Sequence, residues 1–284
     1  MDKLYSPATV NKIMNKHHFK TSKKYGQNFL IDENIIHKIV DAVDIKDNDL
    51  VLEIGPGIGT LTAELAKRAG KVKAVEIDKK LVPILDENLA EFNNIKIINA
   101  DILNTNINEM ISDEEKYQSA KIIGNLPYYI TTPIIMKILE EKVPVKSITI
   151  MVQKEVADRL KAEPGGKDYG ALSVAVQYYC DVTFIAQVPR NVFIPKPNVD
   201  SSVIRLDVRE IPSVKVDDEK VFFRMVKAGF SQRRKTLLNA LSHFLNQPKE
   251  EIEKILIQSD IDPLRRAETL SLQDFAALSN NSIK

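Results

Sequence analysis

The chain has 284 residues, with 40 basic and 39 acidic side chains and a formal net charge of +1, and this length is typical of one large domain accompanied by a smaller one. Its single cysteine, Cys180, excludes an internal disulfide and favours a reducing cytoplasm. The sequence contains no apolar run long enough to cross a membrane and no apolar segment typical of a secretory signal, so we expect a cytoplasmic protein with no membrane partner.

The predicted elements begin with a basic amino-terminal extension, residues 1–24, which contains one helix. The next segment, residues 25–32, is predicted to be a loop in which Asp32 caps a helix that starts near Glu33. The helix carries apolar residues at helical spacing. They are Ile35, Ile36, Ile39, Val40 and Val43.

From residue 50 the chain alternates between strands and helices, a pattern that indicates a parallel sheet with right-handed crossovers. The predicted strands of this part cover residues 50–54, 72–76, 95–99, 120–123 and 147–152. Two later strands, 182–188 and 203–208, are joined by a proline-rich segment too short for a crossover helix, so we expect them to pair antiparallel. The predicted fold class is therefore α/β, with a mostly parallel seven-stranded sheet that ends in an antiparallel hairpin.

The carboxyl-terminal part of the chain has a different composition. After Pro212 the sequence is polar and helical, with helices predicted near 218–230, 234–245, 249–258 and 271–279. We therefore expect a large α/β domain over residues 25–211, which would carry the catalytic site, and a separate small all-α domain over residues 212–284.

A glycine-rich turn, Gly55–Gly59, follows the first strand of the alternating part. Small residues at this position let the backbone approach a ligand closely, although Thr60 breaks the dinucleotide-binding fingerprint. Glu76 ends the second strand, where a carboxylate can accept hydrogen bonds from ribose hydroxyls, and Asp101 ends the third, where it can accept one from an adenine amine. These residues indicate a nucleoside-containing cofactor, and the alternative is an ordinary turn with ordinary strand-end residues.

A second polar turn follows the strand at 120–123. It places Asn125, Leu126, Pro127, Tyr128 and Tyr129 at the carboxyl end of that strand, where ligands bind in open α/β sheets. The Asn125 carbonyl could accept hydrogens from the exocyclic amine of a flat base, and the Tyr128 ring could stack on the base. The alternative is a strand-to-helix turn with a capping asparagine and a core tyrosine.

The basic side chains are unevenly distributed, which predicts either a polyanionic partner or two solvated faces. The residues that could contact such a polyanion are Lys20, Lys23, Lys24, Arg224, Arg233, Arg234 and Lys235. The four histidines are scattered, and no cluster of histidine, cysteine and carboxylate predicts a metal site.

In their order, Val51–Gly59, Glu76, Asp101 and Asn125–Tyr128 resemble the motifs of S-adenosylmethionine-dependent methyltransferases that act on an exocyclic amine. Residues 24–30, 193–203 and 266–272 narrow the resemblance to the KsgA-type ribosomal RNA adenine dimethyltransferases, over the chain from about residue 20 to its end. Tyr129 departs from the pattern, because many relatives carry Asn at that position.

The resemblance implies a Rossmann-like methyltransferase fold with a small carboxyl-terminal all-α domain, S-adenosyl-L-methionine as the methyl donor and no metal. The residues that it implies around the cofactor are Gln27, Asn28, Leu30, Gly55, Gly57, Glu76, Asp101 and Asn125. The catalytic residues that it implies are Asn125, Leu126, Pro127, Tyr128 and Phe193, with the rings of Tyr128 and Phe193 on the two faces of a flipped base.

The implied substrate is a pair of adjacent adenosines in the 3′-terminal hairpin loop of small-subunit ribosomal RNA, each dimethylated late in the assembly of the immature 30S subunit by a monomeric enzyme. Three alternatives stay open. They are a methyltransferase of large-subunit RNA of the macrolide-resistance type, an RNA-binding assembly factor for which methylation is secondary, and a mitochondrial transcription-factor relative.

Overall fold

The computed structural model describes residues 3–112 and 117–282, apart from the side chain of Lys23. These residues form two compact units. Unit 1 comprises the residues up to 157 together with 183–208, and unit 2 comprises residues 158–182 and those from 209 onward. The boundaries at 24 and 211 that the sequence suggested for the domains stay predictions.

The described strands of the protein lie almost entirely in unit 1. They are β1 Phe29–Leu30, β2 Asp49–Ile54, β3 Lys71–Glu76, β4 Ile95–Asn99, β5 Ser119–Asn125, β6 Ser147–Gln153, β7 Cys180–Val188, β8 Phe193–Ile194 and β9 Ser201–Val208. Among the described residues, seven of them form one sheet in the order β4-β3-β2-β5-β6-β9-β7. Strands β4, β3, β2, β5 and β6 pair in parallel, and β9 pairs antiparallel with β6. The predicted mostly parallel, seven-stranded sheet is confirmed.

Helices follow the strands of unit 1 as the alternating pattern predicted. The helices that begin in this unit are α1 Pro7–Lys16, α2 Glu33–Val43, α3 Thr60–Ala66, α4 Val82–Asn88, α5 Ile107–Ser112, α6 Thr131–Glu140 and α7 Lys154–Leu160. The Asp32 carboxylate accepts a hydrogen bond of 3.0 Å from the Ile35 backbone nitrogen, so the predicted cap of α2 is present. A cap of this kind contributes about 1 kcal/mol, because it satisfies a backbone donor that the first helical turn leaves without a partner.

The core of unit 1 consists of two clusters of apolar side chains. One cluster joins the buried face of α2, which includes Ile36 and Val40, to strand residues such as Ile123. The other joins Val10 of α1 and Leu85 of α4 to Phe29. Each such burial contributes about 1.5–3 kcal/mol, so the clusters hold the strands in register and fix the position of their carboxyl ends.

Part of the loop at 25–32 forms a strand of a short second sheet, which the sequence did not predict. Strands β1 and β8 pair antiparallel, with Phe29 opposite Ile194 and Leu30 opposite Phe193. The Ile31 backbone nitrogen extends the pairing with a hydrogen bond of 2.9 Å to the Val192 carbonyl. The loop that precedes α2 is therefore held along its backbone.

Unit 2 is helical, as predicted for the carboxyl-terminal part of the chain. Its helices after α7 are α8 Ala171–Tyr179, α9 Glu219–Gly229, α10 Leu237–Leu245, α11 Lys249–Gln258 and α12 Leu272–Ser282. The Asp218 carboxylate caps α9, and the ring of Phe222 stacks on Tyr178 with centroids 4.9 Å apart. Of the described helices in either unit, none combines the length and the apolar character needed to cross a membrane.

Candidate active site

The carboxyl ends of β2, β3, β4 and β5 meet at one edge of the sheet, and the strand order reverses between β2 and β5. Ligands of open α/β sheets bind at such a switch point. A cleft opens there, at the place in such sheets where small-molecule sites commonly lie. Its lining includes the loop at 25–30, the glycine-rich turn, Glu76, Asp101, Asn125 and Pro127.

The glycine-rich turn has a backbone conformation that only glycine adopts without strain. Gly55 has φ 72° and Gly57 has φ 62°, in the left-handed region that side chains disfavour. A Cβ added to Gly57 would also lie 3.2 Å from the Phe29 ring. The turn therefore offers bare backbone to the cleft at two of the positions predicted to contact the cofactor.

Glu76 is buried at the end of β3, with a relative exposure of 5%. Its carboxylate accepts hydrogen bonds from the backbone nitrogens of Asp78 at 2.8 Å and Gly57 at 3.3 Å. Burial raises the pKa of Glu76 to about 7, because the carboxylate loses most of its hydration, and these backbone hydrogen bonds offset only part of that effect. The predicted ribose acceptor therefore lines the cleft and is half ionised near neutral pH.

Glu53 also lines the cleft, although the sequence did not predict it as a site residue. It lies on β2, is 1% exposed, and its Oε2 has no hydrogen-bond partner among the described residues. Burial raises its pKa to about 8, and the charge of Glu76 contributes further in the same direction. The available signal was a single acid inside the otherwise apolar run Leu50–Ile54.

The loop from Gly26 to Leu30 closes one side of the cleft. The Gln27 amide nitrogen donates to the Asp78 carboxylate at 2.7 Å, and its amide oxygen accepts from the Ser22 backbone nitrogen at 2.6 Å. The Asn28 carbonyl accepts from the Asn125 side chain, and Leu30 is buried in the core. Asp78 connects this loop to Glu76 and was not predicted.

Asp101 lines the cleft at the end of β4. Its carboxylate accepts hydrogen bonds from the Leu103 backbone nitrogen at 3.0 Å and the Asn104 amide at 2.9 Å. Carboxylate oxygens have further lone pairs, so these bonds orient Asp101 and leave it able to accept from a ligand.

Asn125, the last residue of β5, is held by a hydrogen bond of 3.0 Å from its amide nitrogen to the Asn28 carbonyl. This bond uses a donor and leaves the Oδ1 acceptor, for which no described residue provides a hydrogen bond. The Pro127 carbonyl then accepts from the Ile130 backbone nitrogen at 3.0 Å, which closes the turn before α6. Leu126 is 1% exposed and packs in the core.

The two aromatic residues predicted to hold a base lie outside the lining of the cleft. Tyr128 is half-buried, and its hydroxyl lies 2.7 Å from the Ser201 Oγ. Burial raises the pKa of Tyr128, and the hydrogen bond with Ser201 partly offsets that effect. Phe193 is 3% exposed and belongs to the same core cluster as Leu30 and Met151.

The predicted RNA-contacting residues occur in both units. Lys20 and Lys24 are exposed in unit 1, and the Lys23 side chain lies outside the described part of the chain. In unit 2, the exposed residues are Arg224, Arg233, Arg234 and Lys235. Arg233 also has a structural role, because it donates hydrogen bonds to the backbone carbonyls of Lys167 at 3.1 Å and Tyr169 at 2.9 Å.

Comparison with known proteins identifies the family of this chain. A family model described as ribosomal RNA adenine dimethylase matches residues 18–279. The ribosomal RNA small subunit methyltransferase A of Alkaliphilus oremlandii is 52% identical over 100% of this chain and 99% of that protein.

Two solved structures show the same architecture. A dimethyladenosine transferase from Plasmodium falciparum has a TM-score of 0.74 and 29% identity, over 88% of this chain and 95% of that one. The 23S rRNA methyltransferase ErmE has a TM-score of 0.67 and 27% identity, over 90% of this chain and 100% of that one. The chain therefore belongs to the ribosomal RNA adenine dimethylase family of methyltransferase enzymes.

Proposed function

We propose that the protein transfers methyl groups from S-adenosyl-L-methionine to the N6 amines of two adjacent adenosines in the 3′-terminal hairpin loop of small-subunit ribosomal RNA. The immature small subunit is its substrate particle, and it acts as a cytoplasmic monomer late in small-subunit assembly. The observation that carries the proposal is Asn125 beside the cleft: its amide nitrogen donates to the Asn28 carbonyl, and no described residue donates a hydrogen bond to its Oδ1. The full-length relative from Alkaliphilus oremlandii supports the choice of the small subunit.

The residues of the cleft fit S-adenosylmethionine. Gly55 and Gly57 leave room for its amino-acid moiety, and the carboxylate of Glu76 suits its ribose hydroxyls. The buried Oε2 of Glu53 has no partner among the described residues and suits a cationic ammonium group. When bound, the cofactor supplies a methyl group that its sulfonium already activates.

The residues of the protein must activate a poor nucleophile, the adenine amine. The lone pair of an adenine amine is shared with the ring, so the amine attacks weakly. The Asn125 Oδ1 and a backbone carbonyl near Leu126 would accept its two hydrogens, which favours a pyramidal nitrogen with its lone pair aimed at the methyl group. Preorganised acceptors of this kind stabilise the transition state, and a strong general base is not required because the amine proton becomes acidic only after attack.

The target base must leave its stack to enter the cleft. Tyr128 is the residue that we assign to one face of the base, and its ring orientation is set by the hydrogen bond with Ser201, a residue with 0% exposure. Phe193 is assigned to the other face. Because its ring is 3% exposed, it would have to become accessible when the base enters.

We predict that Ser201→Ala and Tyr128→Phe have the same effect, because each removes the hydrogen bond that orients the Tyr128 ring. A hydrogen bond contributes about 0.5–1.5 kcal/mol net, so KM for RNA should rise about two- to tenfold in either variant. The double variant should be no worse than either single one, and the affinity for S-adenosylmethionine should not change. Ser202→Ala, next on the same strand, is the matched control, and additive effects would contradict the shared role.

The substrate is tested with labelled S-adenosylmethionine and mapping of the modified bases. Unmodified small subunits should incorporate label at two adjacent adenosines of the 3′-terminal hairpin, and large-subunit RNA should not. Label found solely in large-subunit RNA would overturn the proposal in favour of the activity that the name of ErmE describes. Tight binding to small subunits without label transfer would favour the assembly-factor alternative.

The exposed basic residues are proposed to contact phosphates, and this predicts a steep dependence of subunit binding on salt. Each lost contact should lower the slope of log Kobs against log[salt] by about 0.7–0.9. We expect this for Arg234→Gln and Lys235→Gln, both exposed in unit 2, and not for the exposed control Lys254→Gln on α11. An unchanged slope in the first two variants would remove them from the interface.

A further inference from the structure

Tyr129 is unusual because its large aromatic side chain, in the turn that follows Asn125, is 59% exposed. Its neighbours Pro127 and Ile130 line the cleft. Its Cε1 lies 3.7 Å from the position that a Cβ on Gly26 would occupy, and Gly26 lines the cleft as well. The Tyr129 ring therefore lies at the mouth of the cleft and presents a large part of its surface to solvent.

Tyr25 lies near Tyr129, and Lys24 lies beside Tyr25. Tyr25 lines the cleft, and the Lys24 ammonium lies 5.4 Å from the centroid of the Tyr25 ring. The hydroxyl of Tyr129 is close enough to Asp101 and Tyr25 for both to raise its pKa, after the larger effect of partial burial. We call Lys24, Tyr25 and Tyr129 the rim cluster, which combines an exposed aromatic ring with a cation at the entrance of the site.

This combination matches the chemistry of single-stranded nucleic acid. Exposed aromatic rings stack on bases of any type, and neighbouring cations contact the phosphates. Removing one adenine from a loop also leaves the adjacent base without its stacking partner, so a ring beside the entrance can replace the stacking that base flipping removes. Tyr129 provides such a ring at the entrance of the cleft.

We propose that the rim cluster binds the nucleotide adjacent to the adenosine in the cleft, with Tyr129 stacked on its base and Lys24 near its phosphate. The inference rests on the proposed function and extends it, because it assigns a second base-binding site.

The test compares Tyr129→Ala with Tyr129→Phe in steady-state methylation of unmodified small subunits. Loss of one base–aromatic stack should raise KM for subunits about five- to hundredfold in Tyr129→Ala, whereas Tyr129→Phe retains the ring and should keep the wild-type value. Phe184→Ala, a matched exposed aromatic on strand β7, should also keep it. A wild-type KM in Tyr129→Ala would overturn the proposal.

The affinity for S-adenosylmethionine, measured by calorimetry, distinguishes a role of Tyr129 in binding RNA from a role in covering the cofactor. It should be the same in wild type and Tyr129→Ala, and a weakened affinity with an unchanged KM for subunits would assign the ring to the cofactor instead. A synthetic hairpin that is abasic beside the target adenosine provides a second readout. Wild type should bind it more weakly than the intact hairpin, whereas Tyr129→Ala should bind both equally.

Equal penalties for the abasic hairpin in both proteins would contradict a contact between Tyr129 and that base. If wild type failed to methylate small subunits, the proposed function would be wrong, and the hairpin comparison would still decide whether the rim cluster binds a base.

Discussion

Asn125→Ala should lower kcat for methylation of small subunits by about 10²–10³-fold, the usual loss when one preorganised polar group of an active site is removed. The variant loses the Oδ1 acceptor that no described residue engages, and with it the interaction proposed to polarise the adenine amine. Quench-flow or single-turnover transfer of labelled methyl groups measures this step directly. Binding to small subunits should persist, because phosphate contacts dominate the affinity for RNA.

The control is Asn48→Ala, because Asn48 lies at the amino ends of β2 and β5, opposite to the end where Asn125 lies. The Asn48 amide bonds to Gln118 just before β5 begins, whereas Asn125 ends that strand. Both variants lose one side-chain hydrogen bond, so they separate a loss of chemistry from a loss of stability. Wild-type single-turnover rates in Asn125→Ala would exclude Asn125 from the reaction.

Cofactor affinity should increase with pH across neutrality. Ribose hydroxyls donate to an ionised carboxylate, and Glu76 has its pKa raised by burial to about 7, so the binding-competent form appears as the pH rises. Binding therefore releases a proton, and the ionisation of Glu76 alone should strengthen the affinity about tenfold between about pH 6 and pH 8. Burial raises the pKa of Glu53 to about 8, so the affinity should go on increasing at higher pH if Glu53 receives the ammonium group.

Glu76→Gln distinguishes this effect from titration of the ligand, whose own ionisations are common to both proteins. The variant should bind S-adenosylmethionine about 10- to 100-fold more weakly at about pH 8, since hydrogen bonds to charged groups contribute about 1.5–3 kcal/mol. The affinity of this variant for S-adenosylmethionine should also not show the increase near neutral pH that Glu76 gives the wild type. The exposed Glu91→Gln should behave as wild type, and a flat wild-type profile would contradict the assignment.

The same two acids predict how the free enzyme responds to pH. A carboxyl whose pKa is higher in the folded than in the unfolded protein stabilises the fold below the unfolded value of 4.5 and loses that contribution as the pH rises through the folded value. Thermal melts of the cofactor-free protein should therefore decline as the pH increases from about 5 to about 8, and the decline should be smaller in Glu76→Gln.

Much of the site could be predicted because its signals are local. The glycine-rich turn, the Asp32 cap and the acids at the strand ends follow from turn chemistry and from the alternation of strands and helices. Because parallel strands bring their carboxyl ends to one edge, the sequence alone places Glu76, Asp101 and Asn125 together, and the structure has all three lining one cleft.

Other features depend on contacts between residues far apart in the chain. The sequence itself determined the family, the parallel sheet and the three strand ends that face the cleft, since each is encoded within a few neighbouring residues. The tertiary structure alone decided that Phe193 pairs with Leu30 and is buried, and that the Tyr128 hydroxyl meets Ser201. It also decided that the Glu53 Oε2 is buried without a hydrogen-bond partner among the described residues. The physical reason is that burial and hydrogen-bond partners are set by packing across the fold, which no local pattern contains.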